Sequence, residues 1–127
     1  SGKFEEFPNL KLLYAESQIG WIPYFVERAD DTWKTHQWAQ GEKRIPKPPS
    51  HYYKKHVYSC FFKDTVGIDL LERIGEDNVL FETDYPHQDG TFPNTLAIAE
   101  DLFGHLEQET IDKIARKNAI KLFGLNL

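Results

Sequence analysis

At 127 residues, with 40% hydrophobic and 14% aromatic content, the chain fits one modest domain with ample material for a core. The 15 Lys and Arg against 20 Asp and Glu leave a net charge of −5, so no broad positive field exists to attract nucleic acid. No apolar run approaches the roughly 20 residues that span a bilayer, and the N-terminus lacks a signal-peptide layout. A soluble, cytoplasmic protein without membrane or nucleic-acid partners is therefore the expectation.

In chain order, residues 10 to 15 (L-K-L-L-Y-A) read as a short strand between the Pro8-Asn9 turn and Glu16-Ser17. Ile22, Phe25, Val26, Ala29 and Trp33 follow at helical spacing. Because Pro23 is tolerated only in a first turn, the helix should begin near Ile22 and run to about Trp38. The stretch from Lys43 to Lys54, with Arg44 and Lys47 among prolines and tyrosines, reads as a solvated basic loop. Pro46, Pro48 and Pro49 rule out a continuous helix there. Ser50 is a plausible N-cap for a short helix over Tyr52 to Lys55, leading into a second strand at Val57 to Phe62. Cys60, the single cysteine, permits no internal disulfide and reads as a small buried residue. Asp64 or Thr65 opens the next helix, which carries Val66, Leu70, Leu71 and Ile74 and closes at Gly75. The third strand is Val79 to Thr83. Two helices complete the chain, one capped by Asn94 or Thr95 and one running from Ile111 to Phe123 and ending at Gly124.

Strands alternating with helices, and no hairpin signal, predict a parallel α/β fold. Each strand leaves a carboxylate at its C-terminal end: Glu16, Asp64 and Asp84. Neighbouring strands would bring two or three of them to one rim, where α/β enzymes keep metal ligands and general bases. The segment V-L-F-E-T-D-Y-P-H-Q-D-G at 79 to 90 is the sharpest case, because its apolar run stops at Asp84 and is followed by His87 and Asp89. Asp84 and Asp89 equally suit a turn, since Asp, Pro and Gly all favour turns. His87 can bind a substrate carboxylate, shuttle a proton or be an ordinary loop histidine. Trp21 and Tyr24 can wall an aromatic substrate or pack the top of the first long helix. His36, His51, His56 and His105 read as structural or solvent-facing.

Four blocks carry a resemblance: F-P-N-L-K-L-L-Y-A-E-S-Q-I-G-W-I-P-Y at 7 to 24, P-P-S-H-Y-Y-K-K-H-V-Y at 48 to 58, G-E-D-N-V-L-F-E-T-D-Y-P-H-Q-D-G at 75 to 90, and K-N-A-I-K-L-F-G-L at 117 to 125. With them the chain resembles the C-terminal part of the amidohydrolase-related family of metal-dependent hydrolases and decarboxylases. The resemblance implies the last three βα units of a (β/α)8 barrel, with parallel strands inside and helices outside. It also implies that Asp84 ligates a divalent metal, zinc or manganese, and helps activate water. Two departures accompany it. Glu16 stands where well-studied members carry a histidine, and no His-X-His pair is present.

Beside Asp84 as catalytic residue, Glu16 can be a second acid/base or equally a structural acceptor for nearby backbone donors, and His87 and Trp21 are the candidate substrate contacts. The resemblance implies hydrolysis or nonoxidative decarboxylation of a small carboxylated or aromatic substrate. The absence of Met and the opening Ser1-Gly2-Lys3 suggest a fragment of a longer polypeptide. Its partner would be the missing N-terminal half of the barrel or another copy of the chain. The competing expectation is a noncatalytic α/β module that self-associates through open strand edges.

Overall fold

The computed structural model describes residues 2–43 and 45–127. Arg44, from the basic loop, lies outside the described residues. Among these residues three strands form one parallel sheet in the order β1 (Leu12–Tyr14), β2 (Val57–Phe61) and β3 (Val79–Phe81). Leu12 pairs with Val57 and Tyr14 with Ser59, and Ser59 in turn pairs with Val79. The expected parallel order of neighbours is what the register shows.

Helices supply the rest. They are α1 (Lys3–Glu6), α2 (Ile22–Thr35), α3 (Pro49–His56), α4 (Thr65–Asp69), α5 (Leu71–Ile74), α6 (Thr95–Phe103), α7 (Gln108–Asp112) and α8 (Asn118–Phe123). Helix α2 starts at Ile22 with Pro23 in its first turn, as predicted, but gives way after Thr35 to a 3-10 segment at Gln37–Lys43. Helix α3 corrects the expected cap: extended Pro48 and the donorless Pro49 set its start, and Ser50 lies inside it. The Ser50 N–H is satisfied instead by Asp30 Oδ1 of α2, at 2.8 Å. The last helical stretch is longer than predicted. It begins at Gln108, passes through a π turn at Lys113–Lys117, and ends at Gly124 in the left-handed conformation.

The main core lies between the sheet and the helices. Val57, Phe61 and Val79 face Ile19, Ile22, Ile68, Leu71, Phe103 and Ile114. Phe61, Phe81 and Phe103 meet edge to face, with centroids 5.2 to 6.0 Å apart. All five residues of β2 are buried, so truncating Phe61 to Ala would cost about 4 kcal/mol. On the opposite sheet face, Tyr58, Cys60 and Leu80 pack against Ala119 and Leu122.

The two margins of the sheet differ. Glu82 N–H bonds Phe61 O of β2, so the alternate residues Val79 and Thr83 turn their carbonyls away from β2. Both are satisfied: Asn118 Nδ2 donates to Val79 O at 2.8 Å, and the Thr91 N–H to Thr83 O at 2.9 Å. Among the described residues strand β1 has no such cover, and its Leu12, Leu13 and Tyr14 are 39%, 38% and 48% exposed.

Candidate functional site

The loops at the C-terminal ends of the strands converge, and they treat the three predicted carboxylates differently. Asp64 is saturated. Its Oδ2 accepts from the N–H groups of Ile19 (2.6 Å) and Gly20 (2.7 Å), while its Oδ1 caps α4 through the Gly67 N–H (2.8 Å). A Cβ on Gly67 would lie 2.7 Å from Asp64 Oδ2, so glycine is required at this crossing. Asp64 is therefore a clip between two loops, and the expectation that it joins a functional rim is set aside.

Asp84 and Glu16 are left available. Asp84 sits just beyond β3 with φ 53°, and its side chain is 11% exposed. Its Oδ1 lies 2.9 Å from His87 Nδ1. An ionised carboxylate only accepts, so His87 Nδ1 carries the proton and Nε2 is the open ring nitrogen. The loop that delivers His87 folds tightly: the His87 N–H bonds Asp84 O at 2.8 Å and the Gly90 N–H bonds His87 O at 3.2 Å. A Cβ on Gly90 would meet Thr83 O at 2.7 Å, which explains the glycine in H-Q-D-G. Asp89 contributes through its carbonyl, which accepts from Lys63 Nζ at 3.0 Å.

Glu16, with φ 56°, is exposed and enters from the β1 loop. One ligand atom from each of Glu16, Asp84 and His87 lies within 4.8 Å of the others. Two carboxylates and an imidazole at that spacing suit a divalent cation with oxygen and nitrogen preference.

Trp21 is anchored to the loop that follows Glu16. Its Nε1–H donates to Ser17 O (3.0 Å) and Gln18 O (3.1 Å), and its ring meets Phe25 edge to face. With Leu12, Tyr14, Phe25, Tyr52 and Tyr53 it lines a cavity of about 420 Å³ beside β1. Tyr24 is exposed on α2. Of the remaining histidines, His56 is buried, stacked on Phe4 at 4.3 Å, with Nδ1 on Leu10 O at 2.8 Å.

One residue of this rim was not singled out from the sequence. Glu82 shares the parity of Leu80 and Asp84, the sheet face opposite the main core. Its Oε1 accepts the Glu16 N–H at 2.6 Å. Burial pushes its carboxyl above the ordinary range, and the charges of Asp84 and Glu16 add to the rise. Beneath it, burial and the proximity of Glu82 push the Cys60 thiol up to about 12, so this buried cysteine stays protonated and inert. The available signal was the i, i+2 spacing of Glu82 and Asp84 at the end of an apolar run.

A parallel sheet presenting carboxylates and an imidazole beyond the C-terminal ends of its strands has the layout of an α/β enzyme. Residues 1–125 match the amidohydrolase family model, and the chain belongs to that family. It is 31% identical to the γ-resorcylate decarboxylase of Polaromonas sp., over 99% of this chain and 38% of that protein. It is 29% identical to the Rhizobium sp. enzyme of the same name, again over 99% and 38%. The chain thus spans under two fifths of these relatives.

Among solved structures, 5-carboxyvanillate decarboxylase from Sphingomonas paucimobilis shares the fold, with a TM-score of 0.81 at 20% identity over 99% of this chain and 37% of that one. An amidohydrolase from Mycobacterium avium subsp. paratuberculosis is 29% identical, with a TM-score of 0.74 over 97% and 30%. A dihydroxybenzoic acid decarboxylase from Polaromonas sp., solved with manganese and the inhibitor 2-nitroresorcinol, is 27% identical, with a TM-score of 0.69 over 100% and 37%. The α/β architecture accordingly matches one part of the TIM barrel of these proteins. No helix among the described residues is long and apolar enough to cross a membrane.

Proposed function

We propose that this chain forms the last three βα units of a metal-dependent amidohydrolase-family barrel that decarboxylates or hydrolyses a small aromatic carboxylate. The observation that carries the reading is the convergence of Glu16, Asp84 and His87 on one rim. The manganese and dihydroxybenzoate chemistry of the relatives supports it.

Asp84, with Glu16 and His87 beside it, would hold the divalent cation together with ligands from outside this chain; manganese is favoured over zinc by the carboxylate-rich donor set. Such a cation acidifies bound water and anchors an ionised substrate. The chain's own groups divide the remaining work. Asp84 Oδ1 fixes the His87 ring, leaving Oδ2 to take or return a proton. His87 Nε2, the unprotonated ring nitrogen, is free to accept a proton from a substrate hydroxyl or carboxyl group. Glu16, exposed and held in a strained turn, is the second proton carrier, in the place where better-known members keep histidine. In decarboxylation the carbon–carboxylate bond breaks, CO2 leaves, and the ring carbon keeps the pair and takes one proton from such a carrier. Trp21 acts at one remove, fastening the loop that bears Glu16.

The test uses the full protein carrying this chain, loaded with manganese and offered 2,6-dihydroxybenzoate and 5-carboxyvanillate. Release of CO2 from either, lost on D84N, is the expected result; no turnover of either compound, or turnover retained by D84N, would overturn the reading.

A second reading rests on the uncovered β1 margin: an uncatalytic module that pairs with another copy. Light scattering separates the two, because a stable monomer at high concentration rules the module reading out.

A further inference from the structure

We propose that Glu82 is a positioning residue for Glu16, holding the turn that aims the Glu16 carboxylate at Asp84 and His87. The inference rests on the metal-site reading above and concerns a residue that reading does not use. Residues 17 to 21 of the β1 loop have their own anchors. Asp64 takes the N–H groups of Ile19 and Gly20, Gln18 Oε1 takes the Phe62 N–H, and Ser17 and Trp21 bond nearby carbonyls. None of these reaches Glu16. Its backbone is held from β3, through the 2.6 Å bond from its N–H to Glu82 Oε1.

The bond has work to do, because Glu16 is not glycine and yet has φ 56°. A left-handed residue with a long side chain costs about 1 kcal/mol and persists only where its surroundings impose it. A short hydrogen bond, worth about 1 kcal/mol net, is of the size needed to impose it. Glu82 is also well backed, since it rises from the same strand as Asp84 and rests beside the buried Cys60 thiol. One strand therefore supplies both a metal-facing carboxylate and the brace for the carboxylate opposite.

The mechanism is one of reach, and two variants separate it from an effect of charge. Gln at position 82 keeps an acceptor oxygen at the same distance without the charge. Asp keeps the charge but is one methylene shorter. In the full protein, E82Q should leave Mn²⁺ affinity and amide exchange at Glu16 within about threefold of wild type. E82D should weaken Mn²⁺ about tenfold, the usual penalty for losing an outer support of a metal site, and speed Glu16 exchange at least as much. The reverse ranking, or two variants equal to wild type, overturns the brace. Control variants E16Q and D84N test the underlying reading separately. If neither moves Mn²⁺ affinity the metal assignment fails, while exchange at Glu16 still decides whether Glu82 holds the turn.

Discussion

The loops after β2 and β3 each carry an aspartate three residues beyond the strand, and the two aspartates have opposite fates. Asp64 is surrounded by three backbone N–H groups within 2.8 Å, whereas Asp84 has a single side-chain partner, His87. Asp84 also adopts φ 53°, a conformation the loop must impose, while Asp64 does not. The difference teaches that a rim carboxylate is classified by its donors. One filled by backbone N–H groups stabilises the fold; one left with open lone pairs in a strained turn is available for chemistry.

Breaking the structural half should have the largest effect. D64A strips acceptors from three N–H groups and is expected to destabilise the protein by about 4 kcal/mol in denaturant unfolding; a loss below about 1 kcal/mol would mean that water replaces the carboxylate freely. N118A extends the test to the margin of β3. It removes amide donors from Val79 O and Glu76 O, and a loss of about 2 kcal/mol is expected by the same measurement.

D84N sharpens the contrast from the other side. Asn tolerates the left-handed conformation, so stability should change by less than about 0.5 kcal/mol while Mn²⁺ binding, followed by calorimetry, is lost. A large stability loss in D84N would erase the distinction between the two aspartates.

The smallest effect concerns a carboxylate with a structural partner far from the rim. Hydrogen bonds from Lys113 and Thr110 hold Glu76 below the usual carboxylate range. A depressed folded-state pKa gives stability that is present above the unfolded value and lost as pH falls through the folded one. Wild type should thus lose melting temperature below about pH 4, and E76Q should lose less over the same interval. Equal acid slopes would show that the pair contributes nothing to folding.

Much of the frame was legible because it follows from periodicity. The apolar runs at Val57 and Val79, the proline in the first turn of α2 and the glycines at positions 75 and 124 each encode a local rule that the structure obeys. Helix α3 was displaced because its cap acceptor, Asp30, lies 20 residues away, and no local pattern reports an acceptor of that kind. The same limit governed the site. Asp64 and Asp84 look alike as residues following strands, and only the approach of Ile19 and Gly20 distinguishes them. Glu82 was concealed by its neighbour, although its two-residue spacing from Asp84 marks both for one face. The short α1, carrying Phe4 against His56, has too few residues for any periodic signal.

The margins of the sheet decide what can be built onto it. Asn118 and Thr91 satisfy Val79 O and Thr83 O at the outer side of β3, yet Phe81, whose N–H and carbonyl point the same way by parity, is left between them for another strand. With β1 open on the other side, the sheet can be continued from both margins, as closure into a cylinder requires.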